Sequence, residues 1–129
     1  MLINEPEVAQ HARKIVEKLW GREYWIVNSD LYCLKFLKVN PGFQCSIHAH
    51  KLKDETFVGY SGTLQLNLHR ANGELYQVFP IEPGYQRHIL PGTYHSFIAV
   101  NVCFVMEVST FHSDADVVRI QESRKLDVE

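Results

Sequence analysis

Two histidines one residue apart, His48 and His50, are the residues of this sequence whose spacing most suggests chemistry. On a strand, alternate side chains share a face, so both imidazoles would point to one side, about 7 Å apart along the strand. Glu55 follows after a short bend, and His95 could bring a third imidazole from another strand. Three neutral nitrogens and one carboxylate suit Mn, Fe, Co, Ni or Zn and leave positions for water or substrate. The sequence therefore predicts one divalent transition metal held by His48, His50, Glu55 and His95.

The composition of the 129 residues limits the other classes of function. The net charge is −2, and the basic residues are scattered among acidic ones, which disfavours a nucleic-acid or anionic-membrane surface. No apolar run approaches the roughly 20 residues that a membrane helix needs. The first ten residues show no signal-peptide pattern, so a cytoplasmic location is expected. Three cysteines without a C-x-x-C spacing are expected to be small buried hydrophobic residues.

A single domain over residues 1–129 is expected, with a helix within 1–21, a β-barrel over 22–121 and a polar tail over 122–129. Residues 4–20 predict the helix: Asn4 suits its N-cap, Pro6 suits its first turn, and apolar residues recur at helical spacing. Gly21 is expected to end it.

After Gly21 the pattern changes to short strands separated by turns, which favours an all-β sandwich or barrel. Asn72-Gly73 between two alternating segments is a strong hairpin signal. The predicted strands are Tyr24–Asn28, Tyr32–Val39, Gln44–His48, Thr56–Ser61, Thr63–Arg70, Leu75–Ile81, Gln86–Leu90, His95–Ala99, Val102–Ser109 and Val117–Gln121.

Two motifs in this region resemble those of the cupin superfamily. Gly42-(five)-His48-Ala49-His50-(four)-Glu55-(six)-Gly62 matches the first cupin motif, and Gly84 followed by Pro91-Gly92-Thr93-Tyr94-His95 is similar to the second. The second motif departs in one respect, because its proline and glycine are adjacent. The resemblance implies an all-β jelly-roll barrel, the double-stranded β-helix, with an N-terminal α-helix here. It also implies a metal bound inside one open end, and a homodimer, since small cupins are often dimers.

A narrower resemblance runs over nearly the whole chain, to the type II phosphomannose isomerase domain. It rests on the segments Lys18–Glu23, Tyr32–Leu37, Val105–Val108 and Asp114–Arg119. That family usually has glutamine in place of His48, and its Y-G-R ending is replaced here by ESRK. The His-x-His form also looks like the cupin-type D-lyxose isomerases. The resemblance implies sugar-isomerase relatives and a small sugar or sugar phosphate as ligand.

An aldose–ketose isomerase needs a metal that polarises the substrate oxygens and a base within reach of the carbon that loses a proton. Glu107 is the candidate base, because it would share an inward face with Cys103 and Val105; an outward, solvated position is the equal alternative. Lys53 could assist, although a surface charge is the simpler interpretation.

Arg87 or Arg119 could hold a substrate phosphate, since the guanidinium fork matches phosphate oxygens, or could be exposed rim residues. Tyr94, beside His95, is expected to shape the pocket. Trp20 and Trp25 are expected to pack the helix onto the barrel or a second subunit, with sugar stacking as the alternative. Three histidines outside the motifs, His11, His69 and His112, are expected to be ordinary.

Three functions remain open on this sequence. The preferred one is a metal-dependent isomerase of a sugar or sugar phosphate. An iron-dependent cupin dioxygenase would use the same ligand set. A non-catalytic sugar-binding cupin module is the third, favoured by the altered ending and the uncertain base.

Overall fold

Two antiparallel sheets form the barrel in a computed structural model that describes residues 4–127. The first sheet has the order β1-β2-β3-β11-β6-β9, and the second has the order β12-β5-β10-β4-β13, with β7 pairing with β10 and β8 with β7. The strands are β1 Lys14–Lys18, β2 Gly21–Asn28, β3 Cys33–Val39, β4 Phe43–Gln44, β5 Ile47–His50, β6 Glu55–Ser61, β7 Leu64–His69, β8 Leu75–Ile81, β9 Gln86–Ile89, β10 Tyr94–Ala99, β11 Cys103–Ser109, β12 Val117–Gln121 and β13 Arg124–Lys125.

The N-terminal helix is present, but its predicted length was wrong. Helix α1 spans Glu5–His11, and the Asn4 side chain caps it by accepting a hydrogen bond from the backbone N–H of Glu7. Residues 14–18 instead form β1, which pairs with β2 through a tight turn. The segment contains two β-branched residues in a row, Ile15 and Val16, which favour a strand.

The main core lies between the two sheets. It contains Trp20, which contacts Phe97 edge to face at 5.0 Å between ring centroids, and two of the three buried cysteines, Cys45 and Cys103. The helix packs on the outer face of the first sheet through Val8, which joins a second buried cluster with Tyr24 and Phe36. The tryptophans therefore do not pack the helix onto the barrel, because the helix packs through Val8; their packing against a second subunit stays a prediction.

Most predicted strands are confirmed, with small shifts of their ends. The Asn72-Gly73 turn joins β7 to β8 as expected, with φ of 93° at Gly73. The predicted strand Gln44–His48 is two strands, β4 and β5. Part of the expected polar tail is also ordered, because β13 pairs with β4; the end of that tail, 128–129, lies outside the described residues.

Within residues 4–127, no helix is both long and apolar enough to cross a membrane.

Substitution of Gly21 would test how tightly β2 packs against β3. Its φ is +153°, and a Cβ there would lie 1.9 Å from the backbone oxygen of Lys38. We expect Gly21→Ala to lower the free energy of unfolding by about 3 kcal/mol or more in urea titrations, because backbone cannot move aside. Gly42→Ala is the matched control: its φ is +92° and nothing lies within 4 Å, so only the backbone strain of about 1–2 kcal/mol applies. Equal losses in both variants would contradict the steric explanation.

Candidate metal centre

The three predicted histidine ligands meet on two neighbouring strands of the second sheet. His48 and His50 lie on β5, and His95 on β10 pairs directly with His48 in the antiparallel register. The ring centroids of His48 and His95 are 4.5 Å apart. One nitrogen from each of the three rings can be chosen so that all lie within 4.8 Å of one another. The three imidazoles therefore converge as a group that can hold a single metal ion.

Glu55, the first residue of β6, brings a carboxylate to the same point from the opposite sheet. Its Oε2 is 3.5 Å from His50 Nε2 and 3.4 Å from His95 Nε2. Two ligands with metal bonds of about 2.1 Å lie roughly 3.0–3.4 Å apart when they are neighbours around one ion. The separations are thus close to those of shared coordination, and the burial of Glu55 and His95 keeps solvent from replacing them.

Hydrogen bonds at Nδ1 of His48 and His95 determine which nitrogen of each ring faces the candidate metal position. His95 Nδ1–H donates to the Thr93 carbonyl at 2.9 Å, and His48 Nδ1–H donates to the Ser46 carbonyl at 2.9 Å. This leaves the Nε2 lone pair of each ring free to bind a metal. His95 Nε2 is buried and has no hydrogen-bond partner among residues 4–127. A buried nitrogen without a partner fits a ligand position.

Burial shapes the protonation of the cluster. It lowers the pKa of His48 to about 3, with a further contribution from neighbouring His95, and lowers that of His50 to about 3 together with the Lys53 charge. Both rings are therefore neutral at physiological pH, which metal binding requires. Burial also opposes the charged form of His95, but the Glu55 carboxylate outweighs it and raises the pKa of that ring. A proton and a metal ion would compete for this nitrogen.

A further carboxylate, Asp116, lies behind His50. Its Oδ2 is 3.7 Å from His50 Nδ1, a buried nitrogen without a hydrogen-bond partner among the described residues. The same carboxylate accepts hydrogen bonds from the backbone N–H groups of Leu52 at 2.8 Å and Lys53 at 3.0 Å. Asp116 therefore holds the bend after β5 close to the ligand. Sequence reasoning missed this role, because the short 3₁₀ turn of Asp114–Asp116 carries no spacing signal.

Glu107 and Lys53 face the same interior and form a buried ion pair. Lys53 Nζ donates to Glu107 Oε2 at 2.6 Å, and Lys35 Nζ is 3.9 Å from the same oxygen. Burial alone would raise the pKa of Glu107, but the charges of Lys53 and Lys35 hold it well below its usual range. The pKa of Lys53 is raised, since the Glu107 and Glu55 carboxylates outweigh its burial. The inward alternative for Glu107 is therefore the observed one, and Lys53 is not a surface charge.

His112 extends this network, although it lies outside both motifs and no spacing signal selects it. Lys53 Nζ donates to His112 Nδ1 at 3.1 Å, and His112 Nε2–H donates to Asp114 at 2.9 Å. Its ring packs edge to face against Trp25 at 5.0 Å between centroids. The expectation that His112 is ordinary was wrong, because the loop after β11 folds back over the site. His69 is ordinary as expected, bonded to Ser96 and Gly73.

Two of the candidate ligands, His48 and His50, line a cavity of about 320 Å³. Arg119 lines it, but Arg87 and Tyr94 are not among its lining residues, so their expected role at this site lacks support. Arg87 stacks over Phe79 with its guanidinium carbon 3.7 Å from the ring centroid. Tyr94 precedes His95 on β10, and strand alternation turns it to the opposite face. The other lining residues include Lys14, Lys18, Trp20, Glu23, Trp25, Lys35, Lys53, Glu107, His112 and Glu122.

Replacement of a central ligand tests the metal centre. We expect His50→Ala to lose most of its bound metal, measured by elemental analysis after loading with zinc and desalting, because one of three converging nitrogens is removed. His11→Ala is the control, since His11 is exposed and lies in the helix. Full metal stoichiometry in His50→Ala would contradict the assignment.

A second prediction concerns Asp116. We expect Asp116→Asn to weaken zinc affinity about 10–100-fold in a chelator competition, because a carboxylate facing a ligand's outer nitrogen orients the ring and raises its basicity. Asp114→Asn is the control, because that carboxylate lies in the same turn but bonds to His112. Unchanged affinity in Asp116→Asn would restrict Asp116 to holding the backbone bend.

Comparisons with known proteins support the architecture. No family model matches the sequence, and no curated protein matches it. Among solved structures, oxalate decarboxylase from Bacillus subtilis has a TM-score of 0.69 at 16% identity, over 87% of this chain and 31% of its own. Lactobacillus farciminis oxalate decarboxylase in a formate complex has 0.70 at 18% identity, over 87% and 35%. KdgF from Halomonas sp. has 0.66 at 14% identity, over 89% and 96%.

The chain spans only about a third of the length of the decarboxylases, and identities this low report on the fold alone. The narrower likeness to sugar isomerases is not among these structural matches. Both the decarboxylases and KdgF are cupins, and the two-sheet barrel of this chain superimposes on them. This protein therefore has the cupin fold, with a histidine cluster suited to a divalent metal.

Proposed function

We propose that this protein is a metal-dependent enzyme that interconverts an aldose and a ketose of the sugar class. The observation that carries the proposal is the buried Lys53–Glu107 pair in the wall of the cavity that His48 and His50 also line. A proton donor and a proton acceptor beside a metal centre are the groups that this reaction requires.

A bound divalent metal would polarise the carbonyl and hydroxyl oxygens of the substrate. Glu107 then takes the proton from the carbon that bears the hydroxyl, and the electrons of that C–H bond form a carbon–carbon double bond. Lys53 donates a proton to the carbonyl oxygen in the same step. Return of the first proton to the neighbouring carbon, and of the hydroxyl proton to Lys53, gives the isomer and restores both groups.

The charge states of the pair suit these roles. Glu107 is ionised, because Lys53 and Lys35 lower its pKa, and it therefore has a free lone pair at neutral pH. Lys53 is protonated and can donate, because the neighbouring carboxylates raise its pKa. The walls formed by Trp20, Trp25 and Phe57 limit the water that would compete for the transferred proton.

The same observation also favours a second candidate, a sugar-binding module without catalysis. A carboxylate paired with two lysines is a weak base, because its pKa and hence its proton affinity are reduced. The two candidates differ in one observable, which is exchange of the sugar's C2 proton with solvent.

Proton NMR in D2O separates them. The protein, loaded in turn with Mn, Co or Zn and compared with an EDTA-treated sample, is mixed with a panel of aldoses, ketoses and their phosphates. We expect metal-dependent loss of the C2 proton signal of one substrate. Saturable sugar binding without exchange would support the binding module instead. Absence of both would exclude sugar chemistry, and oxygen uptake by the iron-loaded protein would then be measured.

The role of Glu107 has its own test. We expect Glu107→Gln to lower turnover at least about a hundredfold with full metal stoichiometry, because the amide cannot accept the proton. Since this change leaves buried lysines without their partner, Glu107→Asp is made in parallel: it keeps the charge but withdraws the carboxylate, and it too is expected to lose turnover. Glu74→Gln, on the β7–β8 hairpin, is the control. A Glu107→Gln variant at the parental rate would exclude Glu107 as the base.

A further inference from the structure

The mouth of the cavity lies between two edge strands, one from each sheet. Strand β1 ends the first sheet and β12 ends the second, and both contribute lining residues. From β1 these are Lys14, Val16 and Lys18, which the register pairs with Trp25, Glu23 and Gly21 on β2. From β12, Arg119 pairs with the metal ligand His48, so the two side chains share a face. Positively charged side chains therefore lie on both sides of the mouth.

These cations differ from the lysines deeper in the cavity. Lys35 and Lys53 are buried and paired with Glu23 and Glu107. In contrast, the side chains of Lys18 and Arg119 make no hydrogen bond or ion pair with any residue from 4 to 127, and Lys14 only lies over the Trp25 ring at 4.7 Å.

The acidic residues of the lining do not balance them. Glu23 and Glu107 pair with lysines, but the His112 ring that donates to Asp114 accepts from Lys53 and is therefore neutral, so Asp114 and Glu122 both keep a negative charge near the mouth. Three cations against two carboxylates leave the mouth with an excess of positive charge in a chain whose net charge is −2. A metal ion behind them would add charge of the same sign, and like charges repel.

Repulsion of this kind is relieved when a negatively charged group binds between the cations. We propose that the substrate is an anion whose carboxylate or phosphate is held between Lys18 and Arg119, while its hydroxyl and carbonyl oxygens face the histidine cluster. The inference rests on the proposed function and names the substrate class of the same site. The cavity volume of about 320 Å³ is at the small end of ligand pockets, which fits a single small metabolite.

Inorganic phosphate is the first probe, titrated by calorimetry into both zinc-loaded and EDTA-treated protein. The EDTA-treated form reports only on the anion site between Lys18 and Arg119, because no metal is present to bind phosphate. We expect phosphate to bind both forms, and Lys18→Gln or Arg119→Gln to weaken that binding about tenfold, the effect of losing one charged hydrogen-bonding partner. Arg70→Gln removes the same charge from the distant hairpin, where Arg70 is near Glu74, and should leave the affinity unchanged. No binding to the EDTA-treated form, or equal affinities in all variants, would overturn the proposal.

Competition identifies the source of the negative charge. D-Glucuronate, D-glucose 6-phosphate and neutral D-glucose are compared as competitors of phosphate on the zinc-loaded protein. Stronger competition by glucuronate indicates a sugar acid, and stronger competition by the phosphate ester indicates a sugar phosphate. If neither anion competes, or if glucose competes as strongly as the anions, the proposal that this site binds the substrate would be overturned. These measurements need no turnover. Anion binding at this site without C2-proton exchange would therefore refute isomerisation and leave this inference standing.

Discussion

The register between β5 and β10 is the constraint on which the site depends. It opposes His48 and His95 directly, and a slip by one residue would turn one of these imidazoles to the other face of the sheet. Strand β10 is fixed by six residue pairs with β7, far more than it shares with β5. A backbone hydrogen bond of 2.7 Å from Gly92 N–H to the His50 carbonyl ties the two motif segments together. The geometry of the ligands is thus set by pairing that lies outside the site itself.

The interior next to the ligands carries charges that a core devoted to stability would lack. Lys35, Lys53, Glu55 and Glu107 are all buried. Removing charged groups from water costs several kcal/mol per ion, and mutual attraction repays this only with good geometry. Because Lys35, Lys53 and Glu107 line the same cavity, this part of the barrel is arranged for binding or chemistry, at the expense of stability.

The convergence of His48, His50 and His95 could be predicted from the sequence, because the spacing of the first two is local and their orientation follows from strand alternation. His48, His50, Glu55 and His95 needed only the two motifs and the barrel. Residues 14–18 were misassigned because a five-residue segment is too short to establish a period, and only its pairing with β2 makes it a strand. Asp116 and His112 reach the site through loops, whose path depends on tertiary contacts. No sequence signal for such residues exists without knowledge of what the loops pack against.

The position of the cavity mouth between two sheet edges has a consequence for motion. Each edge strand is bonded on one side only, so β1 or β12 can separate locally without breaking the ladders that carry the core. The ligands on β10 and β6 lie on strands paired on both sides and do not share this freedom. Amide hydrogens of the two edge strands would therefore exchange with solvent by low-energy local openings, while those around His95 would exchange only when the barrel unfolds as a whole. Entry to the site can thus widen at β1 while the ligand geometry stays fixed, whereas separation of β12 would remove most of the pairing of β5, which carries His48 and His50.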